Sequence, residues 1–163
     1  MSVYGLHASA RGVNARRTFL VYLAGCGLPA LIVDYNDERA RSDVLPPFVR
    51  VRVTEGPTGI QGQHPGGGKA VRRVLNVDCE CWARGTSPDQ VGIVDAACDL
   101  ADHVQAALTY PESIVILDYA GDQSNTGASL LFPTPPTRDE PRTVDGWQQI
   151  IVSVQAVWFA RKE

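Results

Sequence analysis

Two stretches with a strict period of two limit the fold most, because only a half-buried β-strand turns alternate residues to opposite faces of a sheet. In residues 48–54 the three valines share one face, and Arg50 and Arg52 lie on the other. Residues 71–81 repeat this alternation over a longer span. The two stretches predict an antiparallel pair whose connection, at roughly 15 residues, is far longer than a hairpin needs.

The connection between these strands lies in GIQGQHPGGGKAVRR, residues 59–73, which is rich in glycine. A phosphate-binding P-loop needs a glycine, four intervening residues, and then Gly-Lys followed by Ser or Thr. Gln63 and Ala70 stand where the first glycine and the hydroxyl residue belong, and the segment leads into a strand instead of a helix. The sequence therefore predicts a protruding arm, and not a phosphate site. The candidate contact residues of this arm are Gly66, Gly67, Gly68 and Lys69.

Charge is divided unevenly along the chain, which has a formal net charge of −3. Residues 1–84 hold 11 of the 15 Lys and Arg residues, whereas residues 85–137 hold 7 acidic residues and no Lys or Arg. If the two parts occupy different faces, the molecule is polarised, which favours head-to-tail contacts between identical copies. The alternative is charge scatter that serves no partner.

Two helices are predicted. The first spans residues 12–26, and the three arginines in and before its first turns form either a solvated face or a contact for an acidic partner. The second begins at the capping sequence SPDQ, residues 87–90, and runs to about Tyr110. Its carboxylates recur at helical spacing and predict a solvated or partner-facing acidic stripe, with a metal or acid–base site that includes His103 as the alternative. The carboxylates of this stripe are Asp95, Asp99 and Asp102.

The remaining segments complete an α+β fold. Residues 30–35 and a segment from Ser113 are predicted strands, and residues 147–158 carry apolar residues on both faces, which predicts a strand inside the sheet. The turn-forming residues before Trp147 are interpreted as a long surface excursion. The predicted fold class is α+β, with a mostly antiparallel sheet of four to five strands and two main helices packed on one face.

The length and composition suit one domain, residues 1–163, with extended loops near 55–70 and 121–146. The chain is 44% hydrophobic and 20% charged, which are globular values. No apolar run approaches the roughly 20 residues of a membrane helix, and the first residues hold no apolar segment of signal-peptide length. We therefore expect a soluble protein that folds in the cytoplasm and does not contact a membrane.

The common catalytic motifs are missing from the sequence. It contains no nucleophile elbow, no His-Glu-x-x-His zinc motif and no glycine-rich dinucleotide motif between a strand and a helix. The four cysteines lack the paired spacing of a zinc site and fall on apolar positions, so we interpret them as buried small hydrophobic residues. We expect no enzymatic activity, no metal and no cofactor.

Three segments in this order resemble the tail terminator, or tail completion, proteins of long-tailed bacteriophages. They are PPFVRVRVTEG at 46–56, GGGKAVRRVLNVDCECWA at 66–83 and DAACDLADHVQAAL at 95–108. With the closing strand, the resemblance covers most of residues 10–160. The proline-rich stretch 132–142 is a departure from shorter family members.

The resemblance implies a structural virion protein at the tail–neck junction, assembled in the host cytoplasm. Such a protein forms a ring, commonly of six subunits, that caps the tail tube, stops its polymerisation and meets the head-completion protein. The implied partners are the chain itself, the tail tube protein and the head-completion protein, with DNA only as cargo passing through the lumen. A head–tail stopper ring of the same neck is the alternative, and a small-ligand-binding or enzymatic domain is a more distant one.

A basic partner surface is the last expectation. The arginines of the two alternating strands lie opposite or beside the valine faces, and alternation turns Arg73 inward, which separates it from the others. The proposed members are Arg50, Arg52, Arg72 and Arg73.

Overall fold

The computed structural model describes residues 7–35, 47–56, 59–63, 69–83, 90–109, 111–144 and 146–161. Of the two helices, α1 (Gly12–Ala24) precedes the strands and α2 (Gln90–Thr109) interrupts them, and a short 3₁₀ helix (Ala8–Ala10) precedes α1. The strands of the described ranges are β1 (Leu31–Asp34), β2 (Phe48–Glu55), β3 (Gly59–Gln63), β4 (Lys69–Ala83), β5 (Ser113–Leu117), β6 (Asn125–Leu131), β7 (Thr137–Arg138), β8 (Arg142–Val144) and β9 (Trp147–Arg161). The protein is α+β, as predicted.

All the strands belong to one sheet, whose main order is β1-β2-β4-β9-β6-β5. Its centre is the antiparallel pair of β4 and β9, which runs from Ala70 opposite Arg161 to Ala83 opposite Gln148. β3 continues the line of β2 along β4, while β7 and β8 pair with β9 beside β6. β1 is parallel to β2, and the other pairs are antiparallel. The prediction of a final strand inside the sheet is confirmed.

Alternation along the central strands gives the sheet two different faces. The inner face carries the odd-numbered residues of β4, from Leu75 to Ala83, and the even-numbered residues of β9, from Ile150 to Ala160, and all of them are buried in the main core. Because paired residues share a face, Val49 and Val51 of β2 extend this inner face. The outer face holds the remaining residues of the same strands and is mostly polar or half-buried.

Both helices pack on the inner face. α1 contributes Ala15, Phe19 and Leu23 to the core, and α2 contributes an apolar stripe from Ala97 to Leu108. The hydroxyl of Tyr22 in α1 donates a 2.7 Å hydrogen bond to the carbonyl of Ala107 in α2. The expectation of two helices on one face is therefore confirmed.

Polar contacts fix α1 against the two edge strands of the sheet. The Thr18 hydroxyl accepts the amide N–H of Leu117 in β5 at 3.2 Å, and Arg16 forms an ion pair with Asp34 in β1. Asn14, which is fully buried, bonds Asp118 at 3.0 Å just after β5. Arg16 is one of the three arginines at the start of the first helix for which an acidic partner was an alternative. In the structure its ion-pair partner is Asp34 of the same chain.

The sheet is larger than predicted, because two segments interpreted as loops contain strands. Residues 59–63 form β3 on the edge of β4, and the stretch interpreted as a long surface excursion includes β6, β7 and β8. In β6 the buried residues Thr126, Ala128 and Leu130 anchor that stretch to the sheet, so the expectation of four to five strands was too low. Gly66, Gly67, Gly68 and residues 87–89 of the SPDQ capping sequence lie outside the described residues, and Gln90 begins α2.

Candidate interaction surface

The outer face of the sheet has three zones along the length of its strands. At one end Phe48, Trp82 and Trp147 form an aromatic cluster, with ring centroids 5.9 and 6.1 Å apart in successive pairs. Polar residues of β4 and β9 occupy the middle. The far end carries apolar side chains and Arg72. The predicted site residues fall in different zones and on both faces.

Arg50 is tied into the aromatic end of this face. Its guanidinium donates to both carboxylate oxygens of Glu80, directly across on β4, at 2.7 and 3.3 Å. The guanidinium also lies over the rings of Tyr35, at 4.8 Å, and Trp82, at 5.7 Å. Gln149 donates a further hydrogen bond of 2.9 Å to the Glu80 carboxylate. Arg50 therefore satisfies a buried carboxylate within the chain instead of offering its charge to a partner.

Arg52 is the exposed member of the strand β2 arginines. Its guanidinium lies 5.6 Å from the centre of the Tyr35 ring, and it forms no ion pair among the described residues. It faces Asp78 across the β2–β4 ladder. Of the two β2 arginines, only Arg52 keeps the surface role expected from the alternation.

Arg73 points inward, as its position in the alternation indicated. Its guanidinium donates to the Ala10 carbonyl and to the Glu55 carboxylate, and it lies 5.1 Å from the Trp158 ring centre. The Trp158 indole in turn donates to the carbonyl of Ser9 at 2.8 Å. Arg73 thus holds the 3₁₀ helix onto the end of the central strands, and it lies on the opposite face of the sheet from Arg50, Arg52 and Arg72.

Arg72 lies on the outer face, far from the β2 arginines. It is six residues along β4 from the position opposite Arg52, a separation of about 20 Å at the usual strand rise. Its cross-strand neighbour is Phe159 of β9. Lys69 begins β4 beyond it. The four predicted arginines therefore do not form one patch.

The acidic residues of α2 lie on its solvent-exposed side. Asp95, Asp99 and Asp102 are all exposed. Asp102 forms an ion pair with Arg138 of β7, which raises the pKa of that guanidinium through the hydrogen bond to Asp102. Among the described residues, His103 is the one possible ion-pair partner of Asp99, with 3.7 Å between the carboxylate and the ring nitrogen. The three carboxylates therefore form an exposed acidic stripe on α2. The ion-pair partner of Asp102, Arg138, is the first basic residue after the segment without Lys or Arg.

The described residues contain no arrangement that favours catalysis or metal binding. No group of three or more His, Cys, Asp or Glu residues in the described ranges is placed to hold a metal ion. His7 bonds Ser9, and His103 bonds the carbonyl of Asp99 in its own helix. Burial raises the pKa of the Cys81 thiol to about 12, the opposite of an activated nucleophile. No described helix is long and apolar enough to cross a membrane.

Sequence reasoning missed two features of the outer face. One is the exposed apolar zone of Val115, Leu131 and Phe159, which comes from three strands. The other is a polar groove of about 290 Å³ in the middle zone, between β4, β9 and residues 134–137. Both features depend on which strands are neighbours in the sheet, and the sequence does not state that. The one indication in the sequence was that the last strand carries apolar residues on both of its faces.

Comparisons with known proteins add little to this geometry. No protein family profile matches the chain, and no curated protein matches it. A solved structure whose name states no function is similar over 94% of this chain and 98% of its own, with 15% sequence identity and a TM-score of 0.48. At that level of similarity it carries no functional argument.

Proposed function

We propose that the protein is a tail terminator of a long-tailed bacteriophage. In this role it forms a ring, with six subunits as the expected number, that caps the tail tube and stops its growth. The ring then meets the head-completion protein at the neck of the virion, and DNA passes through it as cargo. The protein is not an enzyme under this proposal.

One observation carries the proposal: the three segments that resemble tail terminators are adjacent in the fold. Residues 46–56 contain β2, residues 66–83 contain β4, and residues 95–108 lie in α2. β2 pairs with β4 from Phe48 opposite Trp82 to Glu55 opposite Leu75, and α2 packs on the inner face of β4. The resemblance therefore covers one contiguous unit of structure instead of three unrelated surface pieces.

The distribution of exposed charge supports assembly instead of catalysis. On the outer sheet face Arg52 is exposed and Arg72 is half-buried, and the solvent side of α2 presents Asp95 and Asp99. A subunit with basic and acidic groups on different surfaces can repeat head to tail, and such contacts close into a ring when the rotation permits.

The test uses purified tail tube protein. Tubes are grown with and without this protein, and their ends and lengths are recorded by electron microscopy. We expect rings at one end of the tubes and an arrest of growth that depends on the amount of added protein. Free tube ends with unchanged growth would contradict the proposal, and rings that bind portal-side assemblies instead of tubes would favour the head–tail stopper alternative.

A variant of His103 distinguishes the proposed assembly role from the more distant alternative, a ligand-binding site that includes this residue. The ring nitrogen of His103 contacts only its own helix among the described residues. His103→Gln should therefore cap tubes as the wild type does. Loss of capping in this variant with the fold intact would return the ligand-binding alternative to consideration.

A further inference from the structure

Three exposed apolar side chains form one patch at the far end of the outer face. Val115, Leu131 and Phe159 are 46%, 38% and 37% exposed. Leu131 of β6 is the cross-strand partner of Val157 in β9, so both side chains lie on the outer face. Phe159 is the next residue of β9 on that face. Val115 is the next outer residue along β5 from Ser113, which pairs with Leu131. Because contiguous exposed apolar side chains often mark interaction sites, we interpret this patch as a contact surface.

Arg72 supplies a positive charge at the edge of this patch. It is the direct cross-strand neighbour of Phe159, so the two side chains lie within reach of each other on the outer face. Arg72 forms no ion pair within the described residues. We call Arg72, Val115, Leu131 and Phe159 the outer-face patch. An apolar surface bordered by a guanidinium fits a partner surface that is small, partly apolar and negatively charged.

The solvent side of α2 has these properties. Asp95 and Asp99 are one helical turn apart and exposed, and Asp95 forms no ion pair within the described residues. Ala96, between Asp95 and Asp99 in sequence, and Ala106, two turns beyond Asp99, are also exposed and add small apolar side chains to this part of the helix surface. We call Asp95 and Asp99, with Ala96 and Ala106, the α2 stripe.

We propose that the outer-face patch of one copy docks on the α2 stripe of a second copy of this chain. The patch and the stripe lie on opposite sides of the sheet, because α2 packs on the inner face. A contact between them is therefore heterologous, so each copy uses its patch on one neighbour and its stripe on the other. The inference rests on the proposed function for its occupant, a second copy, and it names the surfaces that the ring would use.

The test measures self-association of the full chain without tail tube protein, by sedimentation velocity over a range of concentrations. Arg72→Gln/Phe159→Thr weakens the patch while it keeps a strand-forming residue, and Asp95→Asn/Asp99→Asn weakens the stripe. We expect each double variant to associate about tenfold more weakly than the wild type, the factor that results when about 1.4 kcal/mol of contact energy is lost. Arg17→Gln, which removes an exposed charge from α1 outside both surfaces, is the matched control and should associate as the wild type does.

A mixture of the two double variants tests the head-to-tail geometry. Each variant keeps one intact surface, so an equimolar mixture should form one-to-one pairs and nothing larger. If Arg72→Gln/Phe159→Thr does not fold, as judged by its thermal transition, Leu131→Thr weakens the same patch from another strand.

Three results would overturn the inference. They are a wild-type chain that stays monomeric at millimolar concentration, double variants that associate like the wild type, and a patch that binds tail tube protein but not this chain. Rings on tubes together with a monomeric free chain would keep the proposed function while removing this contact, so the two proposals fail separately.

Discussion

Replacing Arg50 should destabilise the protein strongly, although Arg50 looks like a surface arginine in the sequence. The side chains of Arg50 and Glu80 are only 23% and 9% exposed, and two hydrogen bonds join them. Arg50→Leu leaves the Glu80 carboxylate buried, and among the described residues the Gln149 amide is then its one side-chain donor. Removal of one partner from a buried pair costs about 3–5 kcal/mol, and because Arg50 is partly solvated we expect about 2–3 kcal/mol.

The magnitude can be measured by urea unfolding followed by circular dichroism. A loss of about 2–3 kcal/mol should lower the unfolding midpoint by roughly 1–2 M urea, and the melting temperature by about 5–10 °C for a chain of this size. Arg52→Leu is the matched control on the same strand. Since Arg52 is exposed and forms no ion pair among the described residues, it should change stability by less than about 0.5 kcal/mol.

The double variant Arg50→Leu/Glu80→Leu tests the cause. Two apolar side chains next to Phe48 and Trp82 replace the ion pair without leaving a buried charge, so most of the lost stability should return. The reasoning is refuted if Arg50→Leu is as stable as Arg52→Leu, or if the double variant is less stable than Arg50→Leu.

Two further predictions concern the core. Trp158→Phe removes the hydrogen bond to the Ser9 carbonyl and leaves a small cavity, which should cost about 2 kcal/mol or more in urea unfolding; an unchanged midpoint would contradict the role given to the indole. The pKa of Cys81 is raised by burial from 9.0 to about 12, and burial also raises that of Cys79. The unfolded thiols therefore lose protons at lower pH than the folded ones, so stability is fully present below about pH 9 and falls as pH rises towards 12, by up to about 1.4 kcal/mol per pH unit for each thiol. Urea unfolding at about pH 8 and pH 10 should show this fall, and Cys79→Val/Cys81→Val should reduce it; an equal fall in the variant would place its cause elsewhere.

Long alternating segments were the part of the fold that the sequence predicted well. β2, β4 and β9 each carry apolar residues at every second position, and burial of that face fixes their register. β6 was missed because its residues, NTGASLL, are rich in turn formers. Its place in the sheet is decided by pairing with the preceding strand β5 and with β9, and the residue preferences of the segment itself do not report those pairings.

The candidate site was predicted only in part, because alternation gives the face of a residue but not its partner. It placed Arg52 and Arg72 on the outer face and turned Arg73 inward, as the structure has them. It did not reveal that Glu80 stands opposite Arg50, since that depends on the register between β2 and β4. The pairing of Asp102 with Arg138 likewise depends on a contact between residues 36 positions apart.

The four strand arginines illustrate why one pattern in a sequence supports several different roles. Arg50 neutralises a buried carboxylate and Arg73 holds the 3₁₀ helix, so a charge reversal at either position would remove a contact within the subunit. A Glu at position 50 would also face Glu80 directly, and like charges in a poorly solvated pair are strongly unfavourable. Failure of such a variant to assemble would report unfolding and not a lost interface. Arg72 is free of both difficulties, and the assembly of this chain is therefore best tested there.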